Sequence, residues 1–249
     1  MKKWDIVHSE GFRTTWYPMT GIVRLMARYI QKRIGVGDYL KRKKVRRILD
    51  LGCGNGNHLI FLAEQGFTVY GIDISPEAIK IAKRWLKKRG LKAHLKVGDA
   101  EKLPYKNNYF DLVISHGVFD HISFPKAKKA ITEVQRVLAP EGYLFITLRS
   151  TESSEYGRGQ KVAQNTYLLK EGYEKGIIQH FFNLKEIKEL LKGFRIFDIE
   201  LYEEKFPSIY TVDKSFLESS KGMKKYADLK KPIDLDLKES RWYIAAEKI

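Results

Sequence analysis

The sequence is poor in cysteine and in long apolar runs. Cys53 is its only cysteine, which excludes a disulfide scaffold and a zinc site built from several cysteines and is typical of a reducing compartment. No stretch approaches the roughly 18 consecutive apolar residues of a membrane helix, and the N-terminus lacks the apolar core of a signal peptide. We therefore expect a cytoplasmic protein without a membrane partner.

Acidic residues are scarce in two segments. The chain has 46 lysines and arginines against 30 aspartates and glutamates, a net charge of +16. Residues 28–47 contain nine basic side chains and one acid, Asp38, whereas residues 80–96 contain no acid. This basic surplus is typical both of the lysine-rich solvated surfaces of thermophilic proteins and of RNA-binding faces. The charge does not decide between the two interpretations.

Several catalytic signatures are missing as well. The sequence contains no Gly-Lys dipeptide and therefore no phosphate-binding P-loop. It contains neither the G-x-S-x-G motif of many serine hydrolases nor the H-E-x-x-H motif of zinc proteases. Because no cluster of metal-ligating residues stands out, we predict no metal site.

Predicted strands and helices alternate along the chain from residue 47 to residue 148. The pattern predicts strands at 47–51, 67–73, 93–97, 109–115 and 143–148 and helices at 58–65, 77–89 and 126–138. This alternation predicts an α/β fold with a doubly wound, mostly parallel sheet and helices on both faces. Two later strands, at 194–202 and 241–247, would bring the sheet to seven strands and form an antiparallel edge hairpin.

Three regions follow from this pattern. Residues 1–45 are basic and place apolar side chains on one helix face, which predicts an N-terminal helical arm. Residues 46–150 form the α/β core. Residues 151–249 contain the last sheet strands, a helix at 183–192 that His180 precedes, and a charged, irregular insertion near 203–240.

Glycines and acids lie where the predicted strands end, and doubly wound sheets bind ligands at these ends. Asp50 and the glycines Gly52, Gly54 and Gly56 belong to the first strand end, and Asp73 and Asp99 to the next two. Glycine lets a ligand lie against bare backbone, and a carboxylate accepts hydrogen bonds from ribose hydroxyls or from an exocyclic amine. These strand ends therefore predict a nucleoside site.

The glycine loop does not complete the dinucleotide fingerprint G-x-G-x-x-G. Its third glycine is replaced by Asn57 or by Leu59, depending on the frame. Asp50, just before the glycines, would repel a pyrophosphate but would attract an ammonium group. A cationic nucleoside without phosphates therefore fits the loop best.

The stretch from Arg47 to Leu148 closely resembles the class I S-adenosylmethionine-dependent methyltransferases. The similarity rests on the order, spacing and content of residues 48–56, 69–75, 98–104, 110–115 and 138–143. It implies S-adenosylmethionine as cofactor and S-adenosylhomocysteine as product. The cofactor contacts that it implies are the loop residues Gly52, Cys53, Gly54 and Gly56, Asp50 near the amino group, Asp73 on the ribose, Ile74, Asp99 and Ala100 on adenine, and Ser115 and His116 on the methionine side.

The resemblance also directs attention to the N-terminal arm and to the acceptor side. Arms of this family commonly cover the cofactor, which makes Trp16 and Tyr17 candidate lid residues, with ordinary packing as the alternative. His58 departs from the family pattern and either contacts the cofactor or exposes its ring to solvent. The candidate catalytic residues are His116, His121, Arg149 and His180, with a solvated or capping role as the alternative for each histidine.

Motifs that the sequence lacks narrow the choice of methyl acceptor. The seven prolines are nowhere adjacent, which disfavours the enzymes that methylate adenine or glutamine amides through a Pro-Pro-Tyr motif. Methylation of cytosine C5 needs a nucleophilic cysteine, and Cys53 lies inside the cofactor loop, so this chemistry is excluded. We predict transfer to an oxygen or nitrogen of a small molecule, with residues 151–249 forming the acceptor side. The alternatives are an RNA methyltransferase that uses the basic surface and a non-catalytic cofactor-binding or regulatory protein.

Overall fold

The fold was analysed in a computed structural model that describes residues 2–9, 17–170, 174–206 and 237–249. In chain order its elements are α1 (Lys2–Ser9), α2 (Thr20–Leu25), a π-helical turn (Met26–Ile30), β1 (Gln31–Arg33), β2 (Tyr39–Lys41), β3 (Arg47–Leu51), α3 (Asn57–Glu64), β4 (Thr68–Asp73), α4 (Pro76–Lys88), β5 (His94–Val97), β6 (Phe110–His116), a 3-10 turn (Phe119–His121), α5 (Phe124–Val137), β7 (Leu138–Arg149), β8 (Gln160–Ala163), β9 (Thr166–Leu168), β10 (Ile178–His180), α6 (Leu184–Leu190), β11 (Phe194–Phe206) and β12 (Leu237–Lys248).

Seven of these strands form one mixed sheet in the order β11-β12-β7-β6-β3-β4-β5. The five strands from β7 to β5 are parallel, whereas β12 runs antiparallel to both β7 and β11. The central strands β3 and β6 are buried at nearly every position because helices cover both faces of the sheet. The predicted doubly wound sheet with an antiparallel edge hairpin is therefore confirmed.

The two faces of the sheet carry separate hydrophobic layers. Consecutive residues of a strand point to opposite faces, so Leu49 packs with the α5 and α6 side and Ile48 with the side of α2, α3 and α4. Val134 of α5 and Leu59 of α3 are both fully buried in these layers. Helices on both faces hold the strand ends in fixed positions, and these ends carry the site.

The N-terminal region is helical only in part. Helices α1 and α2 agree with the expected arm, but residues 31–41 form a hairpin in which β1 pairs antiparallel with β2. The turn contains Gly35 and Gly37, and Gly37 has a φ of +81° that few other residues adopt. Two glycines within three residues disfavour a helix, so the prediction of helix throughout residues 1–45 was wrong here.

The C-terminal region also differs from the prediction. The polar stretch before His180 contains a three-stranded antiparallel sheet of β8, β9 and β10, and His180 ends β10 instead of opening the next helix. The two late strands extend to residues 206 and 237, so the flanks of the predicted insertion at 203–240 belong to the sheet. Its central part, residues 207–236, lies outside the described residues.

The described helices are of moderate length. The two longest, α4 and α5, have 13 and 14 residues. No helix in the described part of the chain is long and apolar enough to span a membrane.

Candidate active site

A pocket opens at the carboxyl ends of the parallel strands, beneath α1. The sequence-predicted residues that line it are Gly52, Gly54, Asp73, Ile74, Asp99, Ala100, His116 and His121. The further lining residues are Trp4, His8, Leu51, Ile72, Gly98, Gly117, Val118 and Ile122. The described residues contain no cluster of three or more histidine, cysteine or carboxylate side chains placed to hold a metal ion.

The loop after β3 forms an open cradle. The backbone N–H groups of Gly52 and Cys53 donate to the carbonyl of Ile72 at 2.8 and 3.1 Å, which ties the loop to the end of β4. Gly52 has a φ of +73°, and a Cβ at this position would lie 2.0 Å from Cγ2 of Val118. Only glycine fits here without displacing the pocket wall. The cradle leaves room for a ligand against the backbone.

Asp73 ends β4 and connects the cradle with the next helix. Its Oδ2 accepts from the N–H of Gly54 at 2.9 Å, and its Oδ1 accepts from the N–H of Ser75 at 2.9 Å. Burial raises the pKa of Asp73, although the two backbone hydrogen bonds oppose this shift. A carboxylate has about four acceptor positions, so both oxygens can still accept from a diol.

The adenine end of the predicted site lies after β4 and β5. Asp99 accepts from the N–H of Glu101 at 2.9 Å through one carboxylate oxygen, and Ala100 lies beside it in the pocket wall. Ile74, which follows Asp73, exposes 36% of its surface and also lines the pocket. An apolar side chain beside a carboxylate fits a flat base with an exocyclic amine.

Asp50 is a buried carboxylate next to the cradle. It is 1% exposed, and neither of its oxygens accepts a hydrogen bond from a described residue. Nδ1 of His58 lies 3.8 Å from its Oδ1. His58 is buried instead of solvent-exposed, and its Nε2 accepts from the N–H of Met19 at 3.2 Å. A buried carboxylate without hydrogen-bond donors fits a site for a cationic ligand.

Helix α1 roofs the pocket with side chains that were not predicted from the sequence. Trp4 and His8 face into the pocket, and the Trp4 ring meets the His121 ring edge-on at 4.9 Å. Asp5 fixes the helix from outside by accepting from Oγ of Ser75 at 2.6 Å. The available signal was the i, i+4 spacing of Trp4 and His8, which places both rings on one helix face.

Of the two lid residues predicted from the sequence, the structure describes only Tyr17, which lies away from the pocket. Tyr17 is 81% exposed and does not line it. Trp16 lies outside the described residues. The covering role expected of the N-terminal region therefore belongs to α1 in the described structure.

Two histidines line the acceptor side of the pocket. Nδ1 of His116, at the end of β6, lies 2.8 Å from Oγ1 of Thr147. Nδ1 of His121 lies 3.3 Å from the carbonyl of Ile178, and its Nε2 lies 3.8 Å from Oε1 of Glu174. Glu174 is nearly fully buried and was missed, because nothing in the local sequence connects it with His121.

Three predicted cofactor residues contribute structure instead of pocket surface. The Cys53 side chain is buried against Gly71, and burial raises the pKa of its thiol. Gly56 lets α3 approach α4, since a Cβ there would lie 3.1 Å from Cβ of Ala82. Oγ of Ser115 donates to the carbonyl of Leu51 at 3.3 Å and so joins β6 to β3.

The last two catalytic candidates do not line the pocket. Arg149 is buried in a charge network in which its backbone N–H donates to Asp120 at 2.7 Å. Arg241 of β12 donates to the other oxygen of Asp120 at 2.5 Å. His180 is fully buried, its Nδ1 lies 2.7 Å from Oγ1 of Thr166, and burial lowers its pKa. Arg149 holds the turn that carries His121 through its backbone N–H, and the His180 ring packs on Phe124 and Phe182.

Comparison with known proteins finds several methyltransferases. Residues 48–142 match a family model described as a methyltransferase domain. The chain is 42% identical over 107 residues to norajmaline N-methyltransferase of Rauvolfia serpentina, covering 42% of this chain and 36% of that protein. It is 32% identical over 161 residues to EEF1A lysine methyltransferase 2 of Mus musculus, covering 58% and 63%. The chain thus spans less than two thirds of the length of these curated relatives.

A solved structure extends the similarity beyond the matched domain. The crystal structure of a SAM-dependent methyltransferase from Methanosarcina mazei superimposes with a TM-score of 0.65 at 25% identity, covering 83% of this chain and 94% of that one. Together with the family-model match, this structure supports a class I S-adenosylmethionine-dependent methyltransferase domain in this chain, with S-adenosylmethionine as its cofactor.

Proposed function

We propose that this protein transfers a methyl group from S-adenosylmethionine to a nitrogen or oxygen atom of a small molecule. The observation that carries the proposal is the composition of the pocket. The glycine cradle, Asp73 and Asp99 line one half of the pocket, and the rings of Trp4 and His121 line the other half. The two halves form one cavity under α1, so a bound acceptor meets the cofactor without crossing solvent.

The cofactor half binds by hydrogen bonds and charge. In this proposal Asp73 accepts from the two ribose hydroxyls, and Asp99 with Ala100 reads the edge of adenine. Ile74 packs on the adenine ring, and Asp50 attracts the ammonium group across the cradle. When bound, S-adenosylmethionine supplies an electrophilic methyl group and leaves as S-adenosylhomocysteine, with the electron pair of the broken bond on sulfur.

The acceptor half positions the nucleophile and takes its proton. In-line displacement requires the nucleophile, the methyl carbon and the sulfur to lie on one line. In this proposal the pocket between Trp4 and His116 holds the acceptor on that line. His121 accepts the acceptor's proton through a ring nitrogen. Glu174, 3.8 Å from Nε2, stabilises the resulting imidazolium, and the carbonyl of Ile178 fixes the ring orientation.

The two curated relatives support transfer to a nitrogen but leave the acceptor open. The plant enzyme is named for N-methylation of norajmaline and the mouse enzyme for methylation of a lysine of EEF1A. The family model ends at residue 142, before Glu174 and the β8–β10 sheet. We favour a small molecule because α1 covers part of the pocket and places the rings of Trp4 and His8 in its lining.

Calorimetric titration with S-adenosylmethionine and S-adenosylhomocysteine tests the cofactor half. We expect micromolar binding that Asp73→Asn weakens at least tenfold, because the amide can accept from only one of the two backbone N–H groups and offers the ribose hydroxyls one acceptor oxygen instead of two. Asp38→Asn, the same change in the exposed hairpin turn, is the matched control and should bind as the wild type does. Absence of binding by folded protein would refute the proposal.

Transfer of a labelled methyl group to a panel of amines and phenols tests the acceptor half. For an acceptor that turns over, Glu174→Gln should lower kcat about tenfold and shift the pH profile of kcat, with cofactor affinity unchanged. Rescue of that profile by Glu174→Asp would support the charge role. Cofactor binding without transfer to any acceptor would instead favour the non-catalytic alternative.

A further inference from the structure

A second concave surface lies at the opposite end of the strands from the pocket. We call it the basal groove and define it by Lys41, Arg42, Lys43, Lys44, Arg46 and Arg47. It runs from the end of β2 across the first residues of β3 and β4 and past the start of β6. Since β3 has five residues, roughly 17 Å of strand separates the groove from the pocket.

Within the part of the chain that the structure describes, the charge of the basal groove is only partly compensated, by Glu247 near Lys43. Asp111 is the one acid among its lining residues, and its Oδ2 accepts from the backbone N–H groups of Arg46 and Arg47 at 2.8 and 2.7 Å. This carboxylate therefore anchors the backbone of the groove. Within the described residues, none of the six basic side chains forms an ion pair, whereas Arg89 and Arg136 each pair with a glutamate.

Aromatic side chains hold two of these cations in place. The Arg47 guanidinium lies over the Tyr109 ring at 4.5 Å from its centroid, and the ammonium of Lys43 lies 5.3 Å from the Tyr143 ring. The hydroxyl of Tyr109 lies 2.7 Å from that of Tyr70, so two hydroxyl groups belong to the lining. Side chains held in this way lose less conformational entropy when they bind an anion.

We propose that the basal groove binds the phosphodiester backbone of a polynucleotide. A concave channel lined by cations and hydroxyl donors can follow a chain of phosphates, whereas a flat anionic membrane meets only its rim. Because the groove lies at the end of the sheet away from the pocket, the bound strand is held there and is not the methyl acceptor. This proposal does not depend on the acceptor chemistry proposed above.

Fluorescence anisotropy with a labelled mixed-sequence RNA of about 20 nucleotides, and with DNA of the same sequence, tests the groove over a range of salt concentrations. With six cations engaged, we expect log Kd to rise with log salt with a slope of about 4. The double variant R42Q/K44Q removes two cations that make no other described contact, and it should lower the slope by roughly 1.4 and weaken binding about tenfold. The RNA and DNA arms show whether the 2′-hydroxyl matters.

The matched control is K83Q/K87Q, which removes the same charge from the exposed face of α4. This control should keep most of the wild-type affinity for nucleic acid. Both double variants should keep the wild-type melting temperature and cofactor affinity. Equal weakening by the control pair would overturn the proposal, because binding would then follow net charge alone. No binding to either nucleic acid, or binding only to phosphatidylglycerol vesicles or polyglutamate, would overturn it as well.

Discussion

Replacing Asp120 with asparagine removes the carboxylate at the centre of the buried charge network. Asp120 is fully buried and accepts from the backbone of Arg149 and from the guanidinium of Arg241. In the variant, Arg241 keeps Glu239 as a partner but faces an amide that cannot balance its charge. Because Asp120 precedes His121 in the same turn, the change also disturbs the acceptor side of the pocket.

The expected loss is large for a single isosteric change. Removing one partner of a buried ion pair costs about 3–5 kcal/mol of unfolding free energy, since the remaining charge stays desolvated. Urea unfolding at pH 7, followed by tryptophan fluorescence, measures this difference. Asp38→Asn in the exposed turn is the matched control and should change stability by less than about 0.5 kcal/mol.

Wild type and Asp120→Asn should also differ in how their free energy of unfolding depends on pH. Burial alone would raise the pKa of Asp120, but Arg241 and Arg149 outweigh it and hold the pKa below its ordinary value. A carboxylate of this kind stabilises the fold above its unfolded pKa of about 3.9, and the contribution is lost as the pH falls toward the native pKa. The difference between wild type and Asp120→Asn should therefore be full at pH 7 and shrink below about pH 4. A loss below about 1 kcal/mol at pH 7, or no shrinkage in acid, would refute this reasoning.

Three further changes test the cradle, a helix cap and a buried histidine. Gly52→Ala should weaken S-adenosylmethionine binding at least tenfold in calorimetry, because alanine disfavours the left-handed φ and its Cβ would clash with Val118. The double variant Gly52→Ala/Val118→Ala should recover only part of the affinity, since it relieves the clash alone. Wild-type affinity of Gly52→Ala would contradict the role of the cradle. Ser75→Ala removes the cap that accepts from the N–H of Ala78 at 3.1 Å, and thermal unfolding should show a loss of about 1 kcal/mol. Burial lowers the pKa of His180, so only the unfolded chain takes up its proton below about pH 6.5 and stability falls toward pH 5. His180→Phe should reduce this fall in urea titrations, and an unchanged fall would show that other groups cause it.

The core and the cofactor half of the pocket were predictable from local sequence. Strands that are buried on both faces contain short apolar runs, such as Ile48-Leu49 in β3 and Leu112-Val113-Ile114 in β6, and these runs stand out in the sequence. A parallel sheet collects its strand ends at one side, which brings Gly52, Asp73 and Asp99 together once the alternation is recognised. The hairpin at residues 31–41 was missed because basic residues on both sides of its glycines suit a solvated helix equally well.

The sequence by itself determined the fold class, the order of the core strands and the cofactor chemistry, because these depend on periodicity and on residues next to strand ends. Only the tertiary structure brought Trp4 of α1 and Glu174 to His121, since these contacts join segments far apart in the chain. It also buried Arg149, because the pairing of β12 with β7 places Arg241 beside it and both charges need Asp120. Long-range contacts of this kind leave no local pattern, and they decide which polar residues face the pocket and which support it.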